Sequence, residues 1–212
     1  MKKLAILILI LLSGTVALWS QDIQFGPTFG TNYSYFSFGD DPHGNEPVLG
    51  YNIGLQGDFY LKNHFYLSTG LNFEFRTYHK PVFGSVPDDG SINDTEWISL
   101  MTIALPLKYK FGKNEQFYLY TGPYLGYVLN RENTLRIDNQ EIWHKDITDT
   151  FYRYQFGLLV GIGYCVAIAN NISMVFDADY SESLIRFGKA EYKESWKGRE
   201  IRSRIGILFT IK

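Results

Sequence analysis

Four histidines are the side chains of this 212-residue chain best suited to acid–base or metal chemistry. His43, His79 and His144 fall in separate polar stretches that also hold Asp40, Asp41, Asp88, Asp89, Asp146 and Asp149, and His64 follows a short turn. Imidazoles and carboxylates gathered from such loops could ligate a metal or trade protons with a substrate. None has ligand spacing, no His-Ser neighbours occur, and polar loops carry such residues without any activity. The expectation is no catalytic residue, no metal and no cofactor. Cys165 is the only cysteine, so it has no intrachain disulfide partner; with no base near it in sequence it reads as a small packing residue.

A second set of reactive types is better organised. Asp58, Glu74, Arg76, Lys108, Lys110, Arg153, Asp177, Asp179, Arg202 and Arg204 all fall on the polar side of runs in which apolar and polar residues alternate with period two. Eight such runs are visible, at 23–35, 48–61, 65–76, 96–111, 117–129, 152–166, 172–181 and 201–211. Each predicts a two-faced strand. The connections at Lys62-Asn63, 112–116 and 169–171 are short. Those at Ser37–Glu46, His79–Asp94, Asn130–Thr150 and Arg186–Lys197 are long and polar.

Strands of ten or more residues exceed what most soluble sheets need and suit tilted crossings of a bilayer. The residue mix agrees: 16 Tyr, 16 Phe, 4 Trp and 20 Gly stand against 3 Met, with a mean hydropathy of −0.14. The glycines, among them Gly26, Gly54, Gly122, Gly157, Gly161 and Gly163, share the polar face with the charges. A narrow barrel interior needs small residues and can pair charges, whereas lipid tolerates neither Arg nor Lys at mid-depth. Polar-inside therefore predicts an all-β, eight-stranded, antiparallel up-and-down transmembrane barrel with short periplasmic turns and longer extracellular loops. Tyr33, Tyr35, Trp97, Tyr109, Phe111, Phe117, Tyr152 and Tyr154 then fall near strand ends, where aromatic girdles sit.

The N-terminus supports export. Lys2 and Lys3 precede an apolar run from Leu4 to Leu12, the layout of a secretory signal peptide. Cleavage after Ser20, or after Ala17, would make residues 1–20 the signal and 21–212 the outer-membrane barrel. Loss of the two lysines takes the net charge from −2 to −4, too acidic for a nucleic-acid partner.

Four segments then become familiar: Tyr66–Arg76 (YLSTGLNFEFR), Ile103–Phe111 (IALPLKYKF), Phe117–Leu129 (FYLYTGPYLGYVL) and Phe156–Tyr164 (FGLLVGIGY). Together they resemble the outer-membrane β-barrel domain family that includes the PorT-like small barrels. The Leu105-Pro106-Leu107-Lys108-Tyr109 and Gly122-Pro123-Tyr124-Leu125-Gly126 runs are the most specific parts. The resemblance implies an integral outer-membrane barrel with no catalytic motif, some relatives being linked to secretion and gliding machinery. One departure is the terminus, where Thr210, Ile211 and Lys212 follow Phe209 in place of a final aromatic.

The expected role is structural, adhesive or secretion-accessory, in contact with outer-membrane lipid, lipopolysaccharide and the barrel-assembly machinery, with a protein partner reached through the extracellular loops. Trp143 and Trp196 are the loop residues suited to such contacts, although both could equally fold back on the rim. The lumenal charges are expected to form a plug-like network, with proton or ion passage as the other reading. Alternatives to the whole assignment are a small outer-membrane enzyme acting on lipid A or peptide at the rim and, third, a periplasmic soluble ligand-binding barrel.

Overall fold

The computed structural model describes residues 23–38, 46–80, 92–137, 140–150, 152–184 and 196–211. They form ten strands: β1 (Ile23–Phe38), β2 (Glu46–Lys62), β3 (Phe65–Lys80), β4 (Ile92–Ala104), β5 (Leu107–Phe111), β6 (Phe117–Ile137), β7 (Gln140–Asp146), β8 (Tyr154–Ala169), β9 (Ile172–Ser183) and β10 (Trp196–Ile211). Every pairing is antiparallel. The sheet closes on itself through β1 against β10 and β2 against β3. Closure leaves no free edge in the wall, the condition a spanning sheet must meet in lipid.

The wall has eight positions because β4 and β5 lie end to end between β3 and β6. The sequence predicted one strand over 96–111; Pro106, which has no N–H to donate, interrupts it. The break stays hydrogen-bonded: the Leu105 N–H donates to the Pro123 carbonyl at 3.0 Å and Pro106 accepts from the Ser68 N–H at 2.9 Å. Only glycine fits opposite, since a Cβ on Gly122 would stand 2.5 Å from Pro106 Cα. The two runs most specific to the family resemblance thus meet across this break.

Alternation sorts the faces. Thr28 is 3% exposed and its neighbour Phe29 56%. Tyr51, Ile53 and Leu55 of β2 and Phe156, Leu158, Val160 and Ile162 of β8 likewise point outward. Asn52, Gln56 and Asp58 and Gln155, Gly157 and Gly161 point inward. From Tyr154 to Val166 the apolar row covers about 40 Å at roughly 3.3 Å per residue, or about 28 Å of depth for a strand tilted about 45°. Outer aromatics cluster at both ends of that band. Phe65, Tyr109, Phe111, Phe117 and Tyr164 follow one another at 4.9–6.2 Å around one rim; near the other, Tyr51 and Phe75 stack and Tyr127 meets Tyr154 edge-on. Trp97 and Tyr152 are also exposed.

Short turns occupy one end, together with the start of β1 and the end of β10, which pair at Ile23 and Ile211. The β2–β3 turn falls on Asn63-His64, one residue later than predicted, with both residues at positive φ, as a two-residue hairpin requires. At the opposite end the predicted loop Asn130–Thr150 is largely a hairpin: β6 runs on to Ile137 and β7 returns along it, pairing among the described residues with β6 alone. Trp143 therefore lies on a strand, and Trp196 opens β10 opposite Phe38.

Candidate functional site

The interior is built from the inward row of every wall strand. Six carboxylates (Asp58, Glu74, Glu96, Asp177, Asp179, Glu200) and six cations (Arg76, Lys108, Lys110, Arg131, Arg202, Arg204) are buried there or nearly so. Charges removed from water must be paired to persist, and most of these are. Glu74 accepts from Arg76 at 2.6 Å, Arg202 at 2.9 Å and the Thr102 hydroxyl at 2.6 Å. Arg76 also donates to Glu200 at 2.7 Å, which takes a further bond from Ser34. Asp179 accepts from Arg202 and Arg204 at 2.7 and 2.9 Å. Nearer the short-turn end Lys108 donates to Asp58 at 2.6 Å, and toward the long-loop end Arg131 donates to Glu96.

A ladder of tyrosines braces these charges. Tyr118, Tyr120 and Tyr124 on β6 stand in register with Gly163, Gly161 and Gly157 on β8, and a Cβ on any of those glycines would come within 2.4 Å of the facing ring. The rings lie on bare backbone, an aromatic covering of glycine that pins register. Their reach carries the Tyr118 hydroxyl to Asp177 at 2.5 Å and the Tyr120 hydroxyl to Asp179 at 3.1 Å. A void of about 20 Å³ beside Asp177, Lys108 and Arg204 has room for about one water.

Eight of the ten charges singled out from sequence lie within this set of contacts. Lys110 faces inward too but bonds Gln24 Oε1 at 2.8 Å and sits over the Tyr66 ring. Arg153 does not join them: it is partly exposed and pairs with Asp149 at 2.6 Å. The cause is local, since β8 begins at Tyr154 and alternation does not govern the residue before it. Glu200, Glu96 and Arg131 were missed. Glu200 is in phase with Arg202 on a strand that starts earlier than its apolar row suggests, and Glu96 is in phase with Thr102. Arg131 is hidden by a bulge: Ser99 opposes Asn130 and Leu100 opposes Val128, so Leu129 is extra and the inward parity of β6 flips beyond it.

The two histidines whose side chains are described do not converge. His64 Nδ1 contacts Glu115 Oε1 at 2.7 Å at the short-turn end, whereas His144 on β7 meets Thr134 at 3.0 Å and Glu132 at 3.8 Å. His43, Asp40, Asp41, Asp88 and Asp89 lie outside the described residues, as does the side chain of His79. No group of three or more His, Cys, Asp or Glu able to hold a metal occurs among the described residues. Trp143 is 42% exposed, next to exposed Ile142. Near it the Thr148 hydroxyl and backbone N–H hydrogen-bond Asp146, holding that carboxyl below its ordinary value.

A closed antiparallel wall, apolar outside, girdled by aromatics and filled with paired charge, defines an integral membrane β-barrel. Residues 19–187 match the outer membrane protein beta-barrel domain family, and the chain belongs to that family. It is an outer-membrane protein. No curated protein matches it in sequence. Among solved structures it is similar to Ail, the attachment invasion locus protein of Yersinia pestis, in complex with sucrose octasulfate (13% identity over 89% of this chain and 99% of that one, TM-score 0.46). It is also similar to OprG from Pseudomonas aeruginosa (13%, 90% and 96%, 0.46) and to the outer membrane protease OmpT from Escherichia coli (8%, 90% and 96%, 0.39). Likenesses this distant carry no weight for activity.

Proposed function

We propose that this barrel is a non-enzymatic surface component, structural, adhesive or secretion-accessory, that acts through its outward end and uses its lumen as a fixed plug. The observation that carries the reading is the β6–β7 hairpin. All seven residues of β7 are exposed, Ile142 and Trp143 included, while the lumen beneath is tied across by Arg76, Glu74 and Arg202. An exposed Trp beside an exposed Ile on a hydrogen-bonded hairpin suits contact with a protein partner or with lipopolysaccharide. On this reading residues 1–20 are a cleaved signal peptide, the barrel-assembly machinery inserts the chain, and the short turns are periplasmic.

A deletion strain should lose surface attachment or secretion and keep its lipid A composition; the double substitution Ile142→Ser with Trp143→Ser should reproduce that loss while the barrel still inserts. An altered lipid A profile with attachment and secretion intact would overturn the proposal. The rim-enzyme alternative has one observation in its favour, the order Thr134 hydroxyl, His144 and Glu132 on the hairpin. Its sign would be peptide or lipid hydrolysis lost in His144→Gln.

A further inference from the structure

Lys110 differs from the other buried cations. Arg76, Lys108, Arg131, Arg202 and Arg204 each have a carboxylate within salt-bridge distance. Lys110 has none among the described residues: its Nζ is met by the neutral Gln24 Oε1 at 2.8 Å and by the face of Tyr66, 4.0 Å from the ring centroid. Such a desolvated ammonium is electrostatically incomplete, and a carboxylate brought beside it would supply what its five counterparts already have.

There is room for one. Lys110 lines a cavity of about 370 Å³ at the short-turn end of the lumen, within the about 300–1,000 Å³ typical of small-molecule sites. The lining is mixed: Gln24, Gln116 and Ser173 are polar, whereas Tyr66 and Ala167 offer apolar surface. Glu115 is also on this wall, but its carboxylate is engaged at both oxygens, Oε1 by His64 at 2.7 Å and Oε2 by the Tyr66 hydroxyl at 2.9 Å. Among the described residues, the charge of Lys110 is therefore the one left facing the cavity without a close carboxylate.

We propose that this cup binds a small amphipathic monocarboxylate, with Lys110 taking the carboxylate and Ala167 and Tyr66 covering the apolar part. The site stands apart from the outward hairpin, so either assignment can fail without the other. Cys165, the only thiol of the chain, lines the same cup and serves as a built-in reporter.

The test uses the whole barrel folded in phospholipid vesicles permeable to small solutes, with alkylation of Cys165 by a small maleimide as readout. Hexanoate should slow alkylation at least threefold and saturably, while hexanol and hexylamine, with the same tail, should not. Lys110→Gln should abolish the protection and Lys110→Arg should keep it, both variants retaining the heat-modifiable gel mobility of a folded barrel. Equal protection by hexanol, or protection surviving in Lys110→Gln, overturns the proposal. N-acetylalanine protecting better than hexanoate would do so too, by assigning the cup to peptide carboxyl termini. Should the thiol not react in the free barrel, calorimetric titration with hexanoate decides: saturable heat at least tenfold weaker in Lys110→Gln supports the cup, and none in the native chain refutes it.

Discussion

Asp58 and Glu74 are both buried carboxylates, yet they differ in what their loss would strand. Lys108 has Asp58 as its carboxylate, at 2.6 Å, and the Tyr118 ring as its other close neighbour. Arg76 and Arg202, which share Glu74, each keep another carboxylate, Glu200 and Asp179 respectively. Asp58→Ala should therefore cost about 3–5 kcal/mol, the range for breaking a buried pair from one side. Glu74→Ala should cost only about 1–3 kcal/mol, the penalty of unsatisfied donors. Urea unfolding from lipid vesicles measures both, and Asp58→Ala combined with Lys108→Ala should recover more than half of the single loss. A larger cost for Glu74→Ala would refute the argument from redundancy. Alternation alone revealed which of these residues face inward. It could not reveal partners: Arg76 and Glu200 meet 124 residues apart, a neighbourhood created by ring closure and stagger.

The strand pair β6 and β8 shows how one element fixes another. Gly161 has no side chain because Tyr120 occupies the space, 2.3 Å from where its Cβ would be, and Tyr120 in turn reaches Asp179. Gly161→Val should displace that ring and destabilise the barrel by about 1–3 kcal/mol, the usual cost of overpacking; the vesicle unfolding assay reads it, and a variant as stable as the native chain would mean the ladder is ornamental. The glycines were legible as an inward row, but their pairing with tyrosines needed the register. The β6–β7 hairpin was not legible, because its polar residues lack the apolar row that marked the other strands. Asp146 anchors its return. A carboxyl held below its ordinary value of about 4 stabilises the ionised, hydrogen-bonded form above that pH. The contribution is lost as pH falls through the lowered folded value. The protection of the Thr148 amide against exchange, its observed rate taken relative to the intrinsic rate at the same pH, should therefore be high at neutral pH and fall away on strong acidification, and Asp146→Asn should weaken that pH dependence.

Closure is what converts these local facts into a membrane protein. The same eight alternating strands, turned inside out, would make a water-soluble barrel with its glycines and arginines on the surface; here Arg202 is 2% exposed and Val160 56%. Strand number and the short-turn, long-loop asymmetry were legible because each strand must satisfy two solvents at once, lumen and lipid, and that requirement is written residue by residue. The break at Pro106 and the bulge at Leu129 were not, since each depends on which residue the neighbouring strand presents. The orientation has a direct energetic signature. Val160 lies midway along the apolar row of β8, so Val160→Arg should cost about 2–4 kcal/mol when unfolding is measured from a bilayer. On a water-facing surface the same change would fall within about 0.5 kcal/mol. A near-zero cost in the bilayer would place the Val160 face in water and invert the barrel; a full cost that fades when the same strand is substituted near its lipid–water boundary, as in Tyr154→Arg, would trace the hydrocarbon core onto this wall.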